Sequence, residues 1–218
     1  MLITNYFIFI FLIIHLSNVN SINPLIYGKI IDWYEQTHNL SWFDNGIYFD
    51  SYITQETGIG LITSINRTIG NKHEMDIFIA LNTNGGDLLM AYKIISYMNQ
   101  MRMNYRIKFH CVCIKTYSSG FYIFQLCDYR YWIDGSSTIM VHEPKLNIEG
   151  TFEYVKKYVE NDFMLNYKNY QSIVNVICFK SNINISDYQN KIDGKDWTIT
   201  SGLVVCLLNF ADFYFKLT

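Results

Sequence analysis

The sequence predicts an α/β fold. Short apolar runs suited to strands alternate with stretches of helical periodicity. The connectors between them are short, as in strand–helix–strand units with crossover connections. The run Met75–Leu81 is almost continuously apolar, the pattern of a strand buried on both faces of a parallel sheet. The 218 residues suit one compact domain, and a chain of this size buries a core without needing disulfides or a metal.

Two regions precede the first strand. Tyr6–Leu16 is apolar but short for a membrane span, and Val19 and Ser21 stand at small-residue positions suited to signal peptidase. Residues 1–21 are therefore expected to be a signal peptide or anchor, which points to the secretory route or a membrane-anchored chain; without it the chain would be cytoplasmic. Residues 22–218 form the single expected domain, opening with a partly helical lead-in that ends at the Asn45-Gly46 turn.

Ile47–Ile53 reads as a strand. Thr54–Thr68 reads as a helix with Ile59, Leu61, Ile62 and Ile65 on one stripe, broken at Gly70-Asn71-Lys72. After Met75–Leu81, the turn Asn82-Thr83-Asn84-Gly85-Gly86-Asp87 leads into a helix over Leu88–Met101, with Leu88, Leu89, Ala91, Tyr92, Ile94, Ile95 and Met98 apolar. Tyr105–Ile114 is the next strand, and Ser119–Cys127 a short apolar helix. Tyr129–Ile133 and Thr138–Val141 are strands parted by Asp134-Gly135-Ser136. A long helical stretch runs from Gly150-Thr151 to about Phe179. Asn184–Asn190 reads as a short helix, Gly194–Thr200 as a connector and Val204–Leu208 as a final strand.

Composition limits the chemistry. A net charge of −2 gives no electrostatic case for a nucleic-acid partner. The five cysteines have no zinc spacing, so no metal is expected. Cys111 and Cys113 share one face of a strand, and most of the five suit buried apolar positions. The sequence cannot pair them. Asn39, Asn66 and Asn184 head N-x-[ST] sequons, which mildly favour the secretory route.

Three turns could carry chemistry. Glycines after a strand, at Gly85-Gly86, let backbone N–H groups approach a ligand and hold an oxyanion. Lys is absent from that turn, so it is no P-loop. A serine opening a short helix has N–H groups and the helix dipole beside it; Ser119 and Ser118 both qualify, and both also suit ordinary N-caps. His142 ends an apolar strand before Glu143-Pro144, and Pro144 sends the chain out into a loop. That suits a general base. Asp196 is the best-placed carboxylate to orient the imidazole, ahead of Asp128, Asp134 and Glu143.

These blocks resemble the proteolytic subunit of the ATP-dependent Clp protease, within the Clp/crotonase fold of stacked ββα units. Asn82-Thr83-Asn84-Gly85-Gly86 resembles the family's Asn-Ser-Pro-Gly-Gly. Lys115–Gly120 resembles its Gly-x-Ala-Ala-Ser-Met turn. Met140-Val141-His142-Glu143-Pro144 resembles Met-Ile-His-Gln-Pro. Lys195-Asp196-Trp197-Thr198-Ile199-Thr200 resembles the segment around the family's aspartate. The resemblance spans about residues 45–212. It implies a serine endopeptidase with Ser119, His142 and Asp196 as triad and the N–H groups of Gly86 and Gly120 as oxyanion hole. It implies no cofactor, peptide or unfolded protein as substrate, a protruding long helix after the His142 strand and a homo-oligomer.

Departures accompany it. Thr83-Asn84 replaces Ser-Pro, Lys115 replaces glycine, and Tyr117 replaces a small residue. Gly202-Leu203-Val204-Val205 arrives early, so the family's closing helix is expected to be deleted. The segment that engages an AAA+ unfoldase is not recognisable, so that partner is a weaker expectation. Ser119-Gly120-Phe121-Tyr122 also resembles the serine turn of signal peptide peptidase A relatives, which use a lysine base; Lys115 and Lys145 are the nearby lysines. A catalytically inactive Clp-like structural or regulatory subunit and an acyl-CoA-binding crotonase-type enzyme are the alternatives.

Overall fold

The computed structural model describes residues 31–32, 45–145 and 148–216. The chain divides into two units, Met1–Leu40 and Ser41–Thr218. The expected leader lies outside the described residues, and of the first unit only residues 31–32, which are helical, are described. Among the described residues no helix is long and apolar enough to cross a membrane.

The second unit is an α/β domain with a mostly parallel seven-stranded sheet. Its elements run β1 (Gly46–Asp50), α1 (Gln55–Ile69), β2 (Glu74–Thr83), α2 (Leu88–Asn104), β3 (Arg106–Tyr117), α3 (Ser119–Gln125), β4 (Tyr129–Asp134) and β5 (Thr138–Val141). Then come α4 (Phe152–Tyr158), a π-helical turn (Val159–Phe163), α5 (Met164–Lys180), α6 (Ile185–Ile192), β6 (Trp197–Ile199), α7 (Gly202–Leu207) and β7 (Phe213–Lys216). The main path is β1-β2-β3-β4-β7, all parallel. Strand β3 is long enough to serve two neighbours. Its His110–Cys113 half pairs with β4, and its Lys115–Tyr117 half pairs with β5 in parallel. Strand β6 then adds to β5 antiparallel.

Burial explains the apolar runs. Ile77, Ile79 and Leu81 of β2 face the main core with Phe109, Cys111 and Cys113 of β3. Leu61 and Ile65 of α1, Met90, Ile94 and Met98 of α2, and Phe121 and Phe124 of α3 close over them. Each fully buried aliphatic or aromatic side chain contributes roughly 1.5–3 kcal/mol. Phe78 and Ala80 point to the other face and are buried too, as the continuous apolar run of β2 requires. Helix α1 starts where Thr54 and Thr57 form a reciprocal capping box.

The structure corrects several expectations. The run Val204–Leu208 lies in and just beyond a helix, α7, rather than a strand. A five-residue apolar run fits either period. Here Asn209 at φ 53° ends the helix. Phe210 N–H donates to Val205 C=O and Asn209 N–H to Cys206 C=O, a Schellman closure. The Gly202 segment itself forms this helix, and no helix lies between β6 and Gly202. The expected connector Gly194–Thr200 contains β6, and β7 was not expected at all. The long helix is interrupted by the π turn, and α4 buries none of its residues. Leu89, assigned to the apolar side of α2, is 44% exposed.

Candidate active site

Three parallel strands end at one level. The β2–β3 register pairs Thr83 with Thr116, so Gly85-Gly86 follows beside Ser118-Ser119. The β3–β5 register pairs Tyr117 with Met140, and Ser118 N–H donates to Met140 C=O at 2.7 Å. That carries His142 to the same edge. Active residues collect at the carboxyl ends of strands in open α/β sheets. Here these ends open into a cavity of about 590 Å³ lined by Ser118, Ser119, His142, Gly86, Tyr122 and Lys145, among others.

The glycine turn is dictated by close approach. Gly85 has φ 84°, and a Cβ there would stand 2.5 Å from the Tyr117 carbonyl oxygen. Gly86 has φ 142°, and a Cβ there would stand 2.3 Å from the Ile53 carbonyl oxygen. Ile53 N–H donates to Gly85 C=O and Asp87 N–H to Ile53 C=O, so the turn is clamped from one side and pressed on the serine turn from the other. Neither the Gly86 nor the Gly120 N–H has an acceptor among the described residues.

Ser119 is the first residue of α3 and 1% exposed. Its hydroxyl donates to Gly86 C=O at 3.1 Å. Ser118 is half-buried, makes no side-chain cap bond and holds φ 52°, ψ −122°. For a residue other than glycine that conformation costs on the order of 1–3 kcal/mol.

His142 Nδ1 hydrogen-bonds the carbonyl of Glu143. A carbonyl only accepts, so Nδ1 is the donor, and in the neutral ring Nε2 is then the acceptor. Tyr122, one helical turn beyond Ser119, directs its hydroxyl at His142 C=O from 3.4 Å. Burial, then the neighbouring Tyr188 and Tyr170, push that hydroxyl well above the usual tyrosine range, so it stays a neutral donor.

Asp196 precedes β6 and does not line the cavity. The β5–β6 register pairs Met140 with Thr198 and Val141 with Trp197; the next step is His142 opposite Asp196. The carboxylate instead meets Lys145, with Nζ 3.5 Å from Oδ1. Among the described residues no hydrogen bond joins Ser119 to His142, or His142 to Asp196. The structure therefore brings Ser119 and His142 to one cavity with the Gly86 and Gly120 amides nearby, and leaves Asp196 at its margin.

Sequence reasoning met Lys145 only as one of two lysines near a possible Ser–Lys site, and gave no role to Tyr122. Lys145 lies three residues past His142, on the loop opened by Pro144. Cysteine chemistry is absent from the site. Cys111 and Cys127 form a disulfide, and burial pushes the Cys113 thiol up to about 12. Among the described residues no group of three or more His, Cys, Asp or Glu could hold a metal ion.

No protein-family model matches the chain, and comparison with curated proteins finds no match.

Proposed function

We propose that this chain is a serine-type endopeptidase of the Clp/crotonase fold. The observation that carries the reading is the single cavity reached by the ends of β2, β3 and β5, with Ser119 and His142 on its wall. Ser119 Oγ attacks a peptide carbonyl and passes its proton to His142 Nε2. The N–H groups of Gly86 and Gly120 receive the oxyanion, a contribution of roughly 3 kcal/mol per donor. His142 returns the proton to the leaving amine, and water then repeats the sequence on the acyl-enzyme. Asp196 orients the imidazole once the His142–Asp196 step of the β5–β6 ladder closes. Catalytic hydrogen bonds are often long before substrate binds. The substrate adds as an extended strand beside the Gly86 segment.

The assembly reading is a homo-oligomer. Exposed apolar side chains on α4 and α5 support it, with Phe152 78%, Leu165 61% and Phe179 91% exposed. The Cys111–Cys127 disulfide fits the secretory route.

A second reading, a non-catalytic relative, draws on one observation: the Ser119 hydroxyl is satisfied by Gly86 C=O rather than by a base. A fluorophosphonate probe and casein hydrolysis separate the two. Labelling that is lost in Ser119→Ala and kept in Ser118→Ala supports the proposal. Labelling lost only in Ser118→Ala moves the nucleophile to the strained residue. Neither labelling nor hydrolysis leaves the non-catalytic reading.

A further inference from the structure

Among the described residues lining the cavity, two are Asp, Glu, Lys or Arg. They are Asp87 and Lys145. The Asp87 charge is already engaged: its Oδ1 accepts from Leu89 N–H at 2.8 Å and Met90 N–H at 3.1 Å, capping α2. Lys145 is placed differently. Its side chain is 73% exposed, and among the described residues its Nζ meets only Asp196, at 3.5 Å. A long ion pair between two solvated groups holds little free energy, so Lys145 can exchange its partner at small cost.

Its present partner is the carboxylate that the β5–β6 register directs toward His142. Asp196 thus stands one rung past the ladder, opposite His142, while it holds Lys145. A carboxylate arriving in the cavity would take Lys145 and release Asp196 to the imidazole.

We infer that Lys145 is a specificity-determining residue that selects peptides carrying a carboxylate side chain near the scissile bond, and that this pairing completes the triad. The inference rests on the peptidase reading above. It places the preference partly in kcat, because the interaction assembles the catalytic group as well as holding the substrate. A lysine that only kept the loop in place would give no charge preference.

The test uses the full chain and fluorogenic peptides that differ by a single Glu or Gln at each position flanking the cleaved bond. At one position at least, the Glu peptide should be cleaved with kcat/KM about tenfold above its Gln twin, the scale of one charge-assisted contact. Lys145→Arg should keep that ratio. Lys145→Met should bring it to about one, and Lys145→Glu should reverse it in favour of a Lys peptide. Equal cleavage of Glu and Gln peptides by the unmodified chain, or a ratio that survives Lys145→Met, overturns the inference and leaves the peptidase reading standing. No cleavage of any peptide together with no fluorophosphonate labelling overturns both.

Discussion

His142 and Asp196 stand one step beyond the last pair of an antiparallel ladder, Val141 with Trp197. Facing residues in such a ladder have Cβ atoms about 4.5–5.5 Å apart, so closing one more rung would bring carboxylate and imidazole together. In the structure each has another partner, Lys145 for Asp196 and the Glu143 carbonyl for His142. The Glu143 carbonyl already selects the Nδ1–H tautomer, the one a proton acceptor at Nε2 requires.

This arrangement ranks the triad substitutions. His142→Ala should abolish peptide hydrolysis and probe labelling. Asp196→Asn should cost less than the roughly 10⁴-fold loss seen where an aspartate alone sets the tautomer, because the Glu143 carbonyl still sets it here. Steady-state kcat on one fluorogenic peptide decides the matter. Equal losses in the two variants would mean that the Glu143 bond does not survive substrate binding.

The glycine turn makes a prediction about stability. Gly86→Ala meets both a φ of 142° and the Ile53 carbonyl oxygen, and should lose at least about 2 kcal/mol in urea unfolding. Gly60 is the control. It lies in α1 with open space around it, and Gly60→Ala should gain about 0.5–1 kcal/mol. Similar effects at the two positions would show that the clamp between Ile53 and the glycine turn is not tight.

The parts of the site that were legible in the sequence are those with unusual backbone demands. Gly85-Gly86 and Ser118–Gly120 each end a parallel strand, and Pro144 marks the exit after His142. The alternation of apolar runs and helical stripes also located β1 to β5 and the helices between them to within a few residues. Two strands were not legible. Three residues, Trp197–Ile199, are too few to show a period, and Phe213–Lys216 lies beyond a helix that reads equally well as a strand. Asn209 was the available sign that Val204–Leu208 ends as a helix, since asparagine tolerates the left-handed region. The roles of Lys145 and Tyr122 depend on which loops meet at the cavity, and sequence spacing carries no such information.

The disulfide follows the same logic. Cys111 lies on β3 and Cys127 just after α3, and their Cα atoms are 5.9 Å apart at a sequence separation of 16. The bridge closes a loop that contains both serines. A loop of about 15 residues gives roughly 3 kcal/mol in the chain-entropy account. Dithiothreitol should therefore lower Tm in the unmodified chain and leave a Cys111→Ala/Cys127→Ala variant unaffected. An unchanged Tm under reducing conditions that a thiol assay proves complete would remove the bridge from the stability account.

Behind the serine helix lies a buried cation. Arg130 is 2% exposed, and its guanidinium forks onto Asp212 with contacts of 3.0 and 2.7 Å. Its remaining arm donates to Gln125 at 2.7 Å, and Gln125 in turn donates to Phe210 C=O. The network ties the end of α3 to β4 and to the entry of β7. Its two halves should respond unequally. Asp212→Ala leaves a guanidinium buried without its anion and should cost about 3–5 kcal/mol. Arg130→Met removes the buried charge, leaves Asp212 at 29% side-chain exposure to hydrate, and strands only the Gln125 oxygen, a cost of about 1–3 kcal/mol. The pH dependence has a definite sign. Burial raises the Asp212 carboxyl, but the hydrogen bonds and charge of Arg130 outweigh it and hold the group below its ordinary 3.8. A carboxylate depressed by folding contributes stability that is fully present above the unfolded value and is lost as pH falls through the folded one. The stability gap between the unmodified chain and Asp212→Asn should therefore be constant near neutral pH and narrow below about pH 4. Urea titrations of both proteins from pH 7 to pH 3 measure it, and a gap that widens on acidification would show that Asp212 is not the anion that holds Arg130.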